Sequence, residues 1–275
     1  MASKPTKAKT LFVEDNYKTY LELCASSGLP YRIIESNYTL SIESDFCNVT
    51  FMQNVMNKKA FIAGAKIKRD IKNTGLKAPE FDEGEMTYFN FAPVPALINS
   101  SKTIYNIDIK SAYANVLNNH SLILPETFNY MKSLIKKDRL ACVGMLASSK
   151  DIYECVGNEE LNYLNETKET KDWFYFCVHI INQIMEKIKR AIKSFLFYWV
   201  DGLFFEDKAE ADLIMNILDG LGYNYSYEIC TDFNYSDDGK QQKLKYYKSD
   251  GTLKVLTLPK KNNEVDKFLL AFLQL

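Results

Sequence analysis

Histidine is scarce in this sequence, and closely spaced pairs of cysteines are missing. Only two histidines occur, His120 and His179, and no two cysteines are spaced as Cys-x-x-Cys. Because structural zinc sites are usually built from such pairs, we expect none here. The six cysteines are scattered, and we interpret them as reduced thiols of a cytoplasmic protein: Cys24, Cys47, Cys142, Cys155, Cys177 and Cys230.

A long apolar run and a large net charge are also missing. No run approaches the roughly 18 residues of a membrane-spanning helix, and the polar, lysine-rich residues 1–10 predict no signal peptide. The formal net charge is −1, so local basic patches, and not an overall positive field, would have to bind nucleic acid. The 275 residues, 47% of them hydrophobic, suffice for one large domain or two small ones.

A change in composition divides the chain near residue 100. Residues 76–100 carry prolines and a glycine among acidic residues, which predicts a linker or a surface arm. We therefore expect a small N-terminal region in residues 1–100 and a second domain in residues 101–275. Within the first, residues 58–72 form a basic, helix-like stretch.

The second domain opens with a strand and continues with helices. Alternation at 103–109 predicts the strand, and a helix follows from residue 111. Residues 132–150 can form a helix, and 157–171 form a polar stretch. Apolar residues spaced by three and four over 174–192 predict a long amphipathic helix.

The last third of the chain returns to strands. Residues 194–199 and 203–206 form a predicted hairpin with Asp201-Gly202 at its turn. A helix at 209–221, three strands between residues 223 and 258 and a closing helix at 265–275 follow. This order predicts an α+β fold in which helices cover one face of an antiparallel sheet.

Two aspartates stand where short apolar strands end. Asp108 follows Ile107, and Asp201 follows Val200. Taken singly, Asp108 could cap the following helix and Asp201 could be an ordinary turn residue. If the two strands are neighbours, their carboxylates can share divalent metal ions, as nucleotide polymerisation requires. We therefore predict that Asp108 and Asp201 form a catalytic, metal-binding pair.

These motifs, in this order, resemble the palm domain of family B DNA polymerases. Asp108-Ile109-Lys110-Ser111-Ala112-Tyr113 is similar to the family's first palm motif, Asp-x-x-Ser-Leu-Tyr, and Leu124-Pro125-Glu126-Thr127 is similar to its Pro-Glu-Thr segment. Val200-Asp201-Gly202-Leu203-Phe204 resembles the second half of the third motif, Asp-Thr-Asp-Ser. The resemblance covers roughly residues 101–250. It implies a polymerase-palm-like sheet with a reduced fingers insertion at about residues 128–175.

The sequence departs from that family in three places. Trp199 stands where the third motif has its first aspartate, the fingers motif Lys-x-x-x-Asn-Ser-x-Tyr-Gly is not found intact, and residues 1–100 are too few for a proofreading exonuclease. A reverse-transcriptase-like enzyme is the alternative enzyme class, although the Gln-Gly pair usual in that family is missing. A palm retained as a nucleic-acid-binding or assembly protein is the non-enzyme alternative.

The resemblance implies two-metal phosphoryl transfer with two Mg²⁺ or Mn²⁺ ions. Mg²⁺ prefers oxygen ligands and keeps some waters, so Asp108 and Asp201 can suffice when substrate phosphates supply the rest. The backbone carbonyl of Ile109 could complete one site. In the family, the equivalent of Tyr113 lies under the sugar and excludes a 2′-hydroxyl, so Tyr113 is predicted to select deoxynucleotides. A core tyrosine is the alternative.

Cations for the triphosphate are predicted on one helix face. The spacing of Arg139 and Lys150, at about 100° per residue, brings them nearly into register, and Lys136 lies close by. Arginine can hold a phosphate through two parallel hydrogen bonds, whereas lysine acts as a point charge. The three resemble the basic fingers helix of the family. A solvated helix face is the alternative.

The segment Lys243-Leu244-Lys245-Tyr246-Tyr247-Lys248 combines lysines with aromatic residues. Such a strand can contact phosphates and stack on bases, and it resembles the Lys-x-Tyr element of the family, which contacts the primer–template. We predict that Lys243, Lys245, Tyr246 and Tyr247 bind nucleic acid. An exposed edge strand protected by lysines is the alternative.

Together these patterns predict a minimal DNA-directed DNA polymerase-like nucleotidyltransferase that adds nucleotides to a 3′ end. Its expected partners are a DNA primer–template or single strand, dNTPs, and a protein that supplies missing fingers or thumb functions. No membrane partner is expected. The many Asn, Lys, Tyr and Ile residues suit DNA replication in a phage or mobile element.

Overall fold

The computed structural model describes residues 9–11, 17–36, 38–52, 57–81, 89–90, 101–167, 170–237 and 242–258. These residues form an α+β fold with seven α-helices and two sheets, which confirms the predicted fold class. Residues 1–8 and the predicted closing helix at 265–275 lie outside the described residues. Within those ranges, no helix is both long and apolar enough to cross a membrane.

The larger sheet has seven strands and is antiparallel throughout. In spatial order the strands are β13 (Leu253–Leu258), β12 (Gln242–Lys248), β11 (Tyr225–Asp237), β6 (Ile104–Ile109), β10 (Gly202–Phe205), β9 (Phe195–Trp199) and β5 (Phe89–Asn90). The edge strand β5 lies in the stretch predicted as a linker. The middle strand is β6, so the segment that carries Asp108 has a neighbour on each side.

Helices cover one face of this sheet, as predicted. The main core contains apolar residues of α3 (Ala112–Asn119), α6 (Lys171–Ala191) and α7 (Ala211–Gly220), packed against the strands. Strand residues alternate between the two faces. Ile107, Ile109, Leu203 and Phe205 belong to the helix-covered core, whereas Ile104, Phe197 and Phe204 belong to a separate aromatic cluster. Side chains at even positions of β6, including that of Asp108, therefore face away from the helices.

A second sheet of six strands was not predicted. Its spatial order is β1 (Lys9–Leu11), β4 (Asn48–Met52), β3 (Thr39–Ser44), β2 (Pro30–Glu35), β7 (Ser149–Val156) and β8 (Glu159–Thr167). Only β1 and β4 run parallel. Helix α1 (Tyr17–Ser27) contributes the buried Cys24 to a small core with Ile42 and Phe51. Because β7 pairs with β2, residues 149–167 complete the sheet of the N-terminal region across the predicted boundary near residue 100.

Three further helices connect the two sheets: α2 (Lys58–Thr74), α4 (Pro125–Lys132) and α5 (Lys136–Gly144). The buried Asp70 of α2 accepts hydrogen bonds from the Leu124 backbone N–H (3.1 Å) and the Thr127 hydroxyl (2.5 Å). The segment Leu124–Thr127, which includes the Pro-Glu-Thr motif, therefore begins α4 and fastens it to α2.

The predicted helix over residues 132–150 is wrong. Helical structure is interrupted after α4. Ile135 has an extended backbone (φ −65°, ψ 158°), and the Leu134 carbonyl accepts a hydrogen bond from the Arg139 guanidinium. Helix α5 then ends at Gly144, and β7 begins at Ser149. The polar stretch that follows is mostly the strand β8, which forms a hairpin with β7.

Candidate active site

The two predicted carboxylates lie on adjacent strands. Asp108 is the partner of Gly202 in the β6–β10 pairing, one residue from Asp201. The backbone N–H of Ile109 donates to the carbonyl of Asp201 at 2.9 Å, and each carboxyl group changes the pKa of the other. The structure therefore brings together the aspartates that the sequence places about ninety residues apart.

The hairpin turn that carries Asp201 differs from the prediction by one residue. Trp199 pairs with Gly202, so the two turn residues are Val200 and Asp201, not Asp201 and Gly202. Val200 has a φ of 53°, in the left-handed region. Gly202 lies within β10, where a Cβ would be 3.4 Å from the Asn106 amide nitrogen and 3.9 Å from Asp108 Oδ1. The glycine therefore leaves room beside the carboxylates instead of making the turn.

A second set of contacts fixes the chain just after Asp108. The backbone N–H of Lys110 donates to the Asn224 carbonyl at 2.8 Å. Ser111, with a φ of 53°, is the N-cap residue of α3, so Asp108 does not cap that helix. The buried Asn115 amide donates to the carbonyls of Lys110 (2.6 Å) and Ser111 (3.3 Å) and holds this turn in place.

The close approach of the carboxyl groups changes how they bind protons. Burial, and next the negative charge of Asp108, raise the pKa of Asp201 to about 8. Burial also raises the pKa of Asp108, and the charge of Glu228 adds to this effect. The metal-free pair therefore retains a proton near neutral pH, and a bound cation would relieve the repulsion that causes the shift.

Two lysines balance the negative charge of the pair. Lys136, at the start of α5, lowers the pKa of both aspartates, although burial outweighs it. Lys248 lowers the pKa of Asp108 and lies 2.5 Å from the Glu228 carboxylate. Of the three cations predicted to bind a triphosphate, Lys136 is the one whose charge reaches the carboxylates.

The other two predicted triphosphate ligands lie elsewhere. The Arg139 guanidinium, on α5, donates to the carbonyl of Leu134 in the segment just before that helix. Lys150 belongs to β7 of the six-stranded sheet, where it pairs with Glu166 of β8. The expectation that Arg139 and Lys150 share a helix face is therefore wrong, because α5 ends at Gly144.

Tyr113 is a core residue in this structure. Its side chain is 7% exposed, and its ring meets Phe174 edge to face with 5.6 Å between ring centroids. The carbonyl of Tyr113 accepts a weak hydrogen bond from the Cys177 thiol. The role of Tyr113 in sugar selection stays a prediction.

The predicted nucleic-acid ribbon is divided between two faces of β12. Leu244 and Tyr246 are buried in the aromatic cluster, where Tyr246 stacks on Phe233 with ring centroids 5.1 Å apart. Tyr246 is 5% exposed, so its ring is not available to stack on a base. Lys243, Lys245 and Tyr247 point to the opposite face, with Tyr247 44% exposed. Lys248 is thus the lysine of this segment that faces the carboxylates.

The donor set suits a hard divalent cation. Asp108 and Asp201 offer oxygen ligands, and the peptide of Ile109 lies between them in the hydrogen-bonded ladder. Among the residues that the structure describes, no group of three or more His, Cys, Asp or Glu side chains could hold a metal ion. Substrate phosphates and water would therefore have to supply most of the remaining ligands.

Sequence reasoning missed four residues that support the site: Asn106, Asn115, Glu228 and Lys248. Asn106 is buried on β6 and donates to the Leu203 carbonyl at 3.1 Å. Its side chain shares a sheet face with Asp108, because the residues of a strand alternate between faces. That alternation could have identified Asn106. The pairing of Glu228 with Lys248 joins β11 to β12 and leaves no comparable signal in the sequence.

Comparisons with known proteins do not assign this chain to a family. No protein-family model matches the chain. No curated protein sequence matches it either.

Proposed function

We propose that this protein is a minimal DNA polymerase-like nucleotidyltransferase that adds nucleotides to a 3′ end. One observation carries the proposal: Asp108 and Asp201 lie side by side on paired strands, with Asp108 opposite Gly202 and the Asp201 carbonyl accepting from the Ile109 N–H at 2.9 Å. The raised pKa of each carboxyl group agrees with this placement. Carboxylates brought together at this electrostatic cost are typical of sites that bind divalent cations.

The residues of the site divide the work of phosphoryl transfer. Asp108 and Asp201 would hold two Mg²⁺ or Mn²⁺ ions, which would supply charge stabilisation for the attacking 3′ oxygen and the leaving pyrophosphate. Lys136 offsets the charge of the incoming triphosphate. The Glu228 carboxylate lies 2.5 Å from the ammonium group of Lys248 and holds this lysine beside β6, the strand of Asp108.

The arrangement of the larger sheet supports a palm-like fold. Helices cover one face, and the carboxylates lie at one end of β6 and β10 on the other side. A nucleic acid and a dNTP would approach the ends of these strands, where Asp108 and Asp201 are partly exposed. Lys243, Lys245 and Tyr247 extend the nucleic-acid contact onto the reverse face of β12.

A second candidate function is a palm-derived protein that binds nucleic acid without catalysis. Trp199 favours it, because an aromatic residue pairs with Gly202 where the resembling motif has an acid.

Nucleotide incorporation by the purified protein separates these two functions. We expect Mg²⁺- or Mn²⁺-dependent incorporation of labelled dNTPs on primed, unprimed or absent template, and its loss in the double variant Asp108→Ala/Asp201→Ala. Asp212→Ala is the matched control, since Asp212 is exposed on α7. The proposal is supported if incorporation is lost in the double variant but kept in Asp212→Ala, and if thermal melting shows that the double variant is folded.

The same preparation tests the alternative. Fluorescence anisotropy with a labelled oligonucleotide measures binding without catalysis. Binding with no incorporation under any template condition would favour the non-catalytic palm. Incorporation that survives in the double variant would refute the role of Asp108 and Asp201.

A further inference from the structure

We propose that Val200 is a positioning residue, whose left-handed backbone holds Asp201 against Asp108 at the expense of stability. The inference rests on the proposed function and extends it to a residue that touches neither substrate nor metal. Val200 immediately precedes Asp201 and is the first of the two residues in the β9–β10 turn.

The backbone of Val200 is unfavourable for its residue type. Its φ is 53°, and a β-branched residue in the left-handed region is a genuine outlier. Two-residue hairpin turns normally place glycine, asparagine or aspartate where φ is positive. A turn selected for stability alone would therefore carry one of those residues at position 200.

The surroundings of Val200 explain how the strained turn persists. Its side chain is 6% exposed and belongs to the helix-covered core. On either side of the turn, Trp199 pairs with Gly202, and the carbonyl of Asp201 accepts from the Ile109 N–H at 2.9 Å. Core packing at one residue and strand pairing at the next keep Asp201 beside Asp108.

Left-handed residues elsewhere in the described chain provide a comparison. The non-glycine residues with positive φ are Ser111, Ser121, Val200 and Asp232. Ser121 is exposed, and its backbone N–H donates to the Asn118 carbonyl after the end of α3. It therefore shares the backbone conformation of Val200 without the carboxylate.

A pair of variants at position 200 separates positioning from packing. Val200→Ala removes the two buried γ-methyl groups, and Val200→Gly removes the Cβ as well. Only glycine removes the left-handed penalty and adds backbone freedom. We expect Val200→Gly to melt at a higher temperature than Val200→Ala. We also expect Val200→Gly to bind Mn²⁺ about 10-fold more weakly than Val200→Ala does. Residues that orient metal ligands without touching the metal usually change metal affinity by about this factor.

Mn²⁺ binding is measured by the loss of the free-ion electron paramagnetic resonance signal, and melting by circular dichroism. Ser121→Gly is the control and should raise the melting temperature without changing Mn²⁺ affinity. Opposite orders of stability and affinity in the two Val200 variants support the proposal, since a purely structural role would give the same order for both.

Two results would overturn the inference in distinguishable ways. If the unsubstituted protein binds Mn²⁺ through Asp108 and Asp201 but both Val200 variants bind it equally, Val200 has no positioning role and the proposed function stands. If Mn²⁺ binding by the unsubstituted protein is absent, or is unchanged in Asp108→Ala/Asp201→Ala, both the proposed function and the role of Val200 are refuted.

Discussion

Asp201 and Val200, at the carboxylate pair, both lower the stability of the fold. Asp201 is held where burial and Asp108 raise its pKa to about 8, and Val200 has a left-handed backbone. Strain and perturbed titration that coincide in this way are characteristic of functional sites, because surrounding structure must maintain them.

The pKa of Asp201 predicts how the stability of the metal-free protein depends on pH. An aspartate in the unfolded protein has a pKa of about 3.9. Between that pH and about 8, the folded state therefore holds a proton that the unfolded state has lost. Stability should therefore fall as pH rises through this window. Asp201→Asn should remove the part of this dependence that comes from Asp201 and stabilise the metal-free protein at neutral pH, on the order of 1–3 kcal/mol.

Thermal melting in EDTA at several pH values between 4.5 and 8.5 measures this effect. The difference between Asp201→Asn and the unsubstituted protein should grow with pH, whereas Asp212→Asn should follow the unsubstituted protein throughout. Parallel curves for Asp201→Asn and the unsubstituted protein would show that the pair carries no such cost.

Among the elements, α2 links the N-terminal region to the helices beneath the site. The Asn57 amide donates to Asp138 of α5 at 2.7 Å. A Cβ at Gly64 would lie 2.4 Å from the Met145 sulfur, just after α5. Because α5 begins with Lys136, contacts along α2 help to place that lysine near the carboxylates.

The Asp70–Thr127 hydrogen bond should contribute measurably to this arrangement. Burial acts to raise the pKa of Asp70, but hydrogen bonds from Thr127, Arg69 and the Leu124 N–H leave it below the ordinary value. Thr127→Val keeps the shape of the side chain and removes the donor. We expect it to lower the free energy of unfolding by about 1–3 kcal/mol at neutral pH, because it leaves a buried carboxylate poorly satisfied.

The pH dependence of this loss provides the check. A lowered pKa means that Asp70 contributes stability above about pH 4, which is lost as pH falls through its folded-state value. Urea unfolding should therefore show the cost of Thr127→Val at pH 7 and a smaller cost near pH 3. Glu126→Gln, exposed on the same turn, is the control. An equal cost at both pH values would contradict the assignment.

In the whole molecule, the two faces of the β11–β12–β13 ribbon have different environments. Lys248 faces the carboxylates and pairs with Glu228. On the other face, Lys243 and Lys245 lie opposite Ser236 and Asn234 in the β11–β12 pairing. Neither of these cross-strand partners is acidic, so a nucleic acid could meet both positive charges there.

The double variant Lys243→Gln/Lys245→Gln tests that face as a nucleic-acid contact. We expect weaker binding of a labelled single strand, and a slope of log affinity against log salt that is smaller by about 1.4, since each phosphate contact contributes about 0.7 for single strands. Lys58→Gln/Lys59→Gln, on the exposed start of α2, provides a charge-matched control. Equal slopes for the two double variants would exclude a specific contact at the ribbon.

Much of the larger sheet could be predicted because its elements have clear local periods. Apolar spacing indicated α6, and short alternating runs indicated β6, β12 and β13. In the smaller sheet, β3 alternates in the same way, because Leu40 and Ile42 are buried between half-buried residues, but the strands added from beyond residue 100 do not. Most of β7 is half-buried without alternation, and residues 159–166 of β8 are exposed, so neither strand has a regular apolar face.

Local pattern in the sequence was enough to predict the α+β class, the strand that carries Asp108 and, to within one residue, the turn that carries Asp201, because side-chain periodicity and turn chemistry act over a few residues. Which of the predicted cations lie near these two residues depends on the tertiary fold. Lys136 reaches the pair, Lys150 joins a distant sheet, and Lys248 enters through its ion pair with Glu228. These outcomes depend on strand pairing and helix ends far apart in the chain, where local pattern carries no information.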